Sequence, residues 1–281
     1  MALRLSLGFR NLQAGINTEL VSNGTFATVT TGWTAAAASL SVAAAAMRVA
    51  SSGNALGQAY QAITTKVGHV YKVVYSFKKG TADAGKFLIG TTSAGAGTVH
   101  HDSGALTDAA LTQHVAFFIA TTTTTYLVCQ TTDATTGEYS DFDTISCVCQ
   151  SRSYQDVFRY SQIKFYTGSQ PATPQLAPTG TLVCTMKNAT AGMTFEESVN
   201  GALVITTGET INGVCEAGGG TVGWARLSHI DDLGTENDLE ARVDFRVSTA
   251  GAEANFDSVA WGGGSTQGIT TLPITRPMSA S

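Results

Sequence analysis

His100, His101 and Asp102 form the one cluster in this chain whose residue types invite a catalytic reading. Imidazole titrates near neutral pH, and an adjacent carboxylate can orient it for proton transfer. The cluster sits in GTVHHDSGALTD (97–108), a turn-rich stretch that reads as a solvated or subunit-interface loop. Catalysis also needs a nucleophile beside a base, paired carboxylates in a cleft, or a set of metal ligands. His69, His114 and His229 are isolated in sequence, and GxSxG, HExxH and EF-hand patterns are absent. The triple glycines at 218–220 and 262–264 lack the lysine and the strand-to-helix setting of a phosphate loop, so they read as turns. Cys129, Cys147, Cys149, Cys184 and Cys215 are odd in number and contain no CxxC, which argues against a zinc site and for thiols acting as small buried hydrophobes. Cys147 and Cys149 stand two apart in a strand-like run and should share a face. The expectation is of a protein that is not an enzyme.

The elements that position these residues are β-strands. Alternating or β-branched runs occur at 68–79, 85–92, 114–122, 125–132 and 143–150. They recur at 162–168, 180–187, 201–208, 221–229, 238–249 and 255–263. Clusters such as KGTADAG (79–85) and TTDATTGEYSD (131–141) separate them, and TTTTT (121–125) suits an exposed edge or bend. Many short strands at near-even spacing predict an all-β chain of two β-sandwich or jelly-roll domains with little helix. Residues 3–15 fit a strand or a helix, and 153–161 fit a short helix with Tyr154, Val157 and Phe158 on one side. GSQPATPQLAPTG (168–180) holds three of the five prolines and is a long loop, either an arm reaching a neighbour or a crossover on its own domain.

Charged residues are 13% of the 281, against about 25% in an average soluble protein. Ala, Thr, Gly and Ser replace them, a composition that suits packing into larger assemblies. The net charge is −5 with Lys and Arg scattered, so a nucleic-acid partner is not expected. No apolar run is long enough to span a membrane, and the N-terminal stretch lacks the features of a secretory signal, so folding in a reducing cytosol is expected.

Two resemblances interlock. ELVSNGTF (19–26), TGW (31–33), AYQAITTKVGHVYKVVYSFK (59–78), TTTYLVCQ (123–130) and EYSDFDTISC (138–147) resemble landmarks of carbohydrate-binding-module-like jelly rolls, also called galactose-binding-like domains. Gly68, Tyr71 and Phe77 carry the middle landmark, and Asp143, Ile145 and Ser146 the last. IKFYTGSQPATPQLAPTGTLV (163–183), GTVGWARLS (220–228) and VDFRVSTAGAEANF (243–256) resemble a small β-domain of tailed-bacteriophage structural proteins. That family opens with a segment like MALRLSLGFRN, which here stands at residue 1, whereas its continuation SYQDVFRYSQIKFYTG begins only at 153. The jelly roll, 17–150, therefore reads as inserted into a discontinuous phage-type domain of 1–15 plus 151–281. A tandem arrangement with a free N-terminal arm is the rival.

The jelly-roll resemblance implies sugar stacking on aromatics near strand ends, with Tyr60, Tyr126 and Tyr139 as candidates, and a core role for Trp33. It also implies a structural calcium held by Glu19 and Asp143 with backbone oxygens; no other cofactor is expected. The leading expectation is a tailed-phage virion structural accessory at the capsid surface, head–tail junction or tail. It would be assembled in the host cytoplasm and would act through contacts with other virion proteins and its own copies, a trimer among the options. The alternative is an adhesin whose jelly roll binds host-surface glycan, and a glycan-degrading accessory is the third idea.

Overall fold

The computed structural model describes residues 4–14, 18–93, 97–151, 153–188, 192–197, 202–269 and 274–275. The chain divides into two compact units, Met1–Ile16 with Ser151–Ser281, and Asn17–Gln150. The described residues are almost entirely β.

Over residues 4–14 the N-terminal segment is strand and then helix; residues 3 and 15 lie outside the described residues. β1 (Arg4–Leu5) pairs antiparallel with Val243 and Asp244, and α1 (Leu7–Ala14) follows directly. Ser6 makes the transition. Its Oγ accepts the Phe9 N–H at 3.1 Å as a helix cap, accepts the Arg242 N–H at 2.8 Å and donates to the Glu240 carbonyl at 2.6 Å. Only glycine fits at position 8, because a Cβ there would lie 2.3 Å from the Leu239 carbonyl oxygen. Phe9 is fully buried and stacks on Phe158, with centroids 5.2 Å apart.

Residues 17–150 form a jelly-roll sandwich of ten strands: β2 (Thr34–Ala36), β3 (Ala38–Ala43), β4 (Ala46–Ser51), β5 (Gln58–Thr64), β6 (Val70–Lys79), β7 (Gly85–Gly90), β8 (Val99–Asp102), β9 (Thr112–Ile119), β10 (Thr124–Thr131) and β11 (Tyr139–Cys149). One sheet runs β2–β5–β10–β7–β8 and the other β3–β4–β11–β6–β9. The chain crosses between sheets repeatedly, and the inward residues of both (Met47, Val49, Ile63, Val73, Phe77, Phe87, Leu127, Phe142) make one core. The Ala-rich run 34–50 supplies three of these strands. Its hairpin turn is Ala44–Ala45, both at positive φ (52° and 61°), the geometry a two-residue turn needs to match strand twist. Trp33 is 7% exposed and packs on Phe26, as a core tryptophan should.

A bulge interrupts β11 between Asp143 and Ser146, with Thr144 at φ 52°. Inward residues are even-numbered before it (Phe142) and odd-numbered after it (Ile145, Cys147). Cys147 and Cys149 therefore do share the core-facing side, Cys149 at its margin. HHD proves to be strand β8 at a sheet edge rather than a loop.

The other unit continues with α2 (Tyr154–Val157), β12 (Ser161–Thr167), β13 (Leu182–Met186), β14 (Phe195–Glu197), β15 (Ala202–Ile205), β16 (Ile211–Val214), β17 (Gly220–His229) and β18 (Arg242–Ser248). Its main sheet is β1–β18–β17–β12–β13. The expected strand at 255–263 is instead two short pairings, at Ala254–Asn255 and Ala260–Trp261. One face of the sheet is apolar: Ile163, Phe165, Cys184, Met186, Ala225, Leu227, Val243 and Phe245 lie in the core.

The opposite face of this sheet is polar and also buried. Arg226 (1% exposed) forks onto Asp244 (0%) at 2.7 and 2.8 Å, and Arg242 (0%) onto Asp232 (4%) at 2.7 and 2.6 Å. The cover is the Pro-rich loop 168–180. Its carbonyls accept from Arg4 (Pro171 and Ala172), Arg242 (Pro174 and Gln175), Arg226 (Leu176) and the Trp224 indole (Thr179). Prolines offer carbonyls and no N–H, so a proline-rich strap is matched by donor-only guanidiniums. The loop is thus a crossover held on its own unit.

Burial raises the Asp244 carboxyl above its ordinary value, with Arg226 opposing it. Burial also works against ionised Asp232, but the Arg242 fork and the Gly234 N–H outweigh it and hold that carboxyl low. Arg242→Met would strand Asp232 as a buried, unpaired charge. It should cost about 3–5 kcal/mol in urea unfolding followed by Trp224 and Trp261 fluorescence, and adding Asp232→Leu should recover most of that loss. A folded-state pKa below the unfolded one gives stability that is present above about pH 4 and lost as pH falls through the folded value. The stability advantage of the native chain over Asp232→Asn should therefore shrink as pH falls below about 4.

Candidate functional site

Along β5, Ala59, Gln61 and Ile63 are buried on the inner side; along β10, Leu127 and Cys129; along β7, Phe87 and Ile89. Strand periodicity then turns Gln58, Tyr60, Ala62, Tyr126, Val128, Gln130, Lys86 and Leu88 to the outer face. Register aligns them in rows. Val128 stands between Tyr60 and Leu88, Gln130 between Gln58 and Lys86, and Tyr126 between Ala62 and Gly90. Thr34 and Ala36 extend two of these rows onto β2.

Tyr60 and Tyr126 are therefore diagonal neighbours, with centroids 6.1 Å apart and ring planes at 63°. Each is the third residue of its strand, near its start. Val128, between them on this outer face, is fully buried, and Leu88 is 8% exposed. A side chain on an outer face is buried only where its neighbours stand higher, so the two rings rise beside an apolar floor. Amides flank it at Gln58 and Gln130, and Lys86 reaches Asp102 of β8 at 3.4 Å. Asp102 also accepts the Gly104 N–H at 2.8 Å.

Tyr139 is elsewhere. It opens β11 in the opposite sheet, where the Arg48 guanidinium lies 3.5 Å from its ring centroid and is itself forked onto Asp141. Opposite sheets cannot bring it to the other two tyrosines' face. Parity before the bulge puts Tyr139 on the outside of its own sheet.

His100 stacks on the core ring Phe118 at 5.6 Å, and burial lowers its pKa. Burial lowers His101 likewise, with Asp102 opposing, and its Nε2 is buried without a partner. Both pack at the sandwich edge, where His100 Nε2 lies 3.4 Å from the exposed Thr121 hydroxyl.

Glu19 and Asp143 are placed where the opening segment meets β11, but they do not form a cation cage. Glu19 Oε1 accepts the Val21 and Cys147 N–H groups, both at 2.8 Å, and Oε2 accepts the Ser146 hydroxyl. Three donors already point at this carboxylate, so a cation would meet their positive ends. Asp143 Oδ2 accepts from Thr144, while Oδ1 is buried without a partner. Among the described residues no group of three or more His, Cys, Asp or Glu could hold a metal ion.

Two surface features had no clear signal in the sequence. A cavity of about 460 Å³ is lined by Thr28, Thr31, Trp33, Leu40 and Ser41 among others, and none of the tyrosine-row residues lines it. On β9, Val115, Phe117 and Ile119 are 49%, 60% and 48% exposed, an apolar stripe on the outer face of an edge strand. Alternation at 114–122 marks both faces of that strand as apolar, which is the only hint.

No family model matches the chain, and no curated protein matches it. Several solved structures are similar in part. A CBM4 structure is 18% identical, covering 42% of this chain and 94% of its own, with a TM-score of 0.36. The CBM22-1 xylan-binding domain from Paenibacillus barcinonensis Xyn10C is 16% identical, with coverage of 47% and 95% and a TM-score of 0.38. The N-terminal cellulose-binding domain from Cellulomonas fimi β-1,4-glucanase C is 18% identical, with coverage of 46% and 96% and a TM-score of 0.37. At these values the functional reading rests on the geometry of the face itself.

Proposed function

We propose that residues 17–150 bind a carbohydrate chain across the outer face of β2–β5–β10–β7–β8, without chemistry. The residues 1–15 and 151–281 would act as a platform that holds this module on a larger assembly, a tailed-phage virion. The observation that carries the binding reading is the Tyr60–Tyr126 pair standing over the Val128–Leu88 floor. Sugar rings present apolar C–H faces and a rim of hydroxyls. Tyrosine rings offer apolar area with a polar tip, and glutamine amides both donate and accept, which suits vicinal hydroxyls. Apolar walls with a few placed polar groups are the usual make-up of a small-ligand site. The virion setting is supported by the resemblance of 163–183 and of the N-terminal segment to phage structural proteins.

Tyr60→Ala and Tyr126→Ala should each weaken binding to a matching soluble oligosaccharide about tenfold or more, roughly 1.4 kcal/mol, by calorimetry. Tyr139→Ala, on the other sheet, should leave affinity unchanged. Uniformly empty arrays of neutral plant and bacterial-surface glycans would sink the reading.

The β9 stripe favours a second reading, in which the sandwich makes protein contacts with neighbouring copies or virion proteins. Edge strands normally carry charge, proline or a bulge against such pairing, and Val115, Phe117 and Ile119 do the opposite. Phe117→Ser should shift any self-association seen by sedimentation to higher protein concentration by several-fold. Unchanged association would remove β9 from the contact.

A further inference from the structure

We propose that Cys184 and Cys215 are a disulfide-forming pair, linking two antiparallel segments of the unit formed by 1–16 and 151–281 when the chain meets an oxidising thiol–disulfide buffer. Both thiols are free in this structure. Cys184 sits in β13, and Cys215 directly follows β16. The two segments run antiparallel in a constant register, since Cys184 bridges Cys215 and Lys187 bridges Asn212.

The hydrogen bonds fix which kind of pair this is. Glu216 N–H donates to the Val183 carbonyl at 2.8 Å, and Lys187 N–H to the Asn212 carbonyl at 3.1 Å. Pairs 183/216 and 187/212 are therefore the hydrogen-bonded ones, and alternation makes 184/215 a non-hydrogen-bonded pair. At such a position the Cα atoms approach to about 4.5 Å and the side chains are at their closest. That lies within the Cα range of about 4.4–6.8 Å over which disulfides form. Both side chains are buried, at 0% and 3% exposure, on the core side of the sheet.

The other three cysteines are not so arranged. Cys147 and Cys149 lie on one strand, and Cys129 faces them from the opposite sheet of a sandwich, where sheets stack about 10 Å apart. Burial, and then Cys215 beside it, push the Cys184 thiol up to about 12. The reduced Cys184 thiol is thus protonated and quiet at neutral pH, and exchange proceeds when this edge opens or as it first docks.

Cys215 is the entry point, being the less buried and accepting a hydrogen bond from the Ser265 hydroxyl at 3.5 Å. Its thiolate attacks one sulfur of glutathione disulfide and expels one glutathione, which takes up the proton Cys215 gave to solvent. Cys184, deprotonated in turn, attacks the Cys215 sulfur and expels the second glutathione, which is protonated likewise. Two protein thiols lose two electrons and two protons, and one glutathione disulfide becomes two glutathiones.

The test unfolds the full chain and refolds it in glutathione disulfide with glutathione, or in dithiothreitol, then denatures, alkylates and maps peptides by mass. After oxidising refolding, Cys129, Cys147 and Cys149 should be alkylated and the peptides bearing Cys184 and Cys215 joined. The dithiothreitol sample should show all five cysteines alkylated. Cys184→Ser should leave Cys215 carrying glutathione. The oxidised chain should also unfold at higher urea by Trp224 and Trp261 fluorescence, a gain that Cys215→Ser abolishes. Five alkylated cysteines after oxidising refolding, or a link between any other pair, would overturn the proposal. The thiol count is read on the native sequence, so it stands even if a serine variant fails to fold.

Discussion

The jelly roll closes on itself, and everything else in the chain depends on that closure. Leu20 N–H donates to the Cys147 carbonyl at 3.0 Å, Ile145 N–H donates to the Gly24 carbonyl, and the Glu19 carboxylate takes the Cys147 amide, beyond the end of the β4 pairing. The entry and exit of a 17–150 module are thereby clasped together. Only on that condition can the helix bearing Phe9 stack on Phe158, and β1 join a sheet whose next strand begins at Arg242. A guest whose ends stood apart would tear this second unit in two.

The two units treat their outer sheet faces in opposite ways. In one, the polar face is filled from within: guanidiniums fork onto aspartates and hold a proline-rich strap over them. In the other, the outer face of β5 and β10 carries the Tyr60–Tyr126 pair beside the buried Val128. Buried ion pairs consume their own electrostatics, whereas the partly exposed tyrosine pair keeps some apolar area at the surface.

Much of this was readable in the sequence wherever alternation is strong. β6, β7, β9, β10, β12, β17 and β18 fall within or almost within the runs marked by their periodicity, and the Tyr71–Phe77 landmark lies in the core. What failed did so for identifiable reasons. Alanine carries no β-signal, so β2–β4 emerge only because Ala44–Ala45 can turn and their neighbours pair. His100 looks solvated in a polar stretch, yet an edge strand folds it against Phe118. Tyr139 was grouped with Tyr60 and Tyr126 by residue type, but sheet membership is a matter of long-range pairing that no local pattern records. The fate of the 168–180 loop turned on Arg4, Arg226 and Arg242, which are distant in sequence and carry no mark of being donors to it.

The clasp at Glu19 and Cys147 also sets a folding order. In the unfolded chain, α1 and α2 are separated by the whole jelly roll, and bringing them together first would close a very long loop. Loop entropy grows with length, and rates fall as contacting residues become more distant along the chain. Once the sandwich has formed, its closed ends reduce that separation to a short linker, and Phe9 meets Phe158 almost as a local contact. The host unit thus inherits its speed from its guest, and a guest that folds slowly would delay a domain with which it shares no strand.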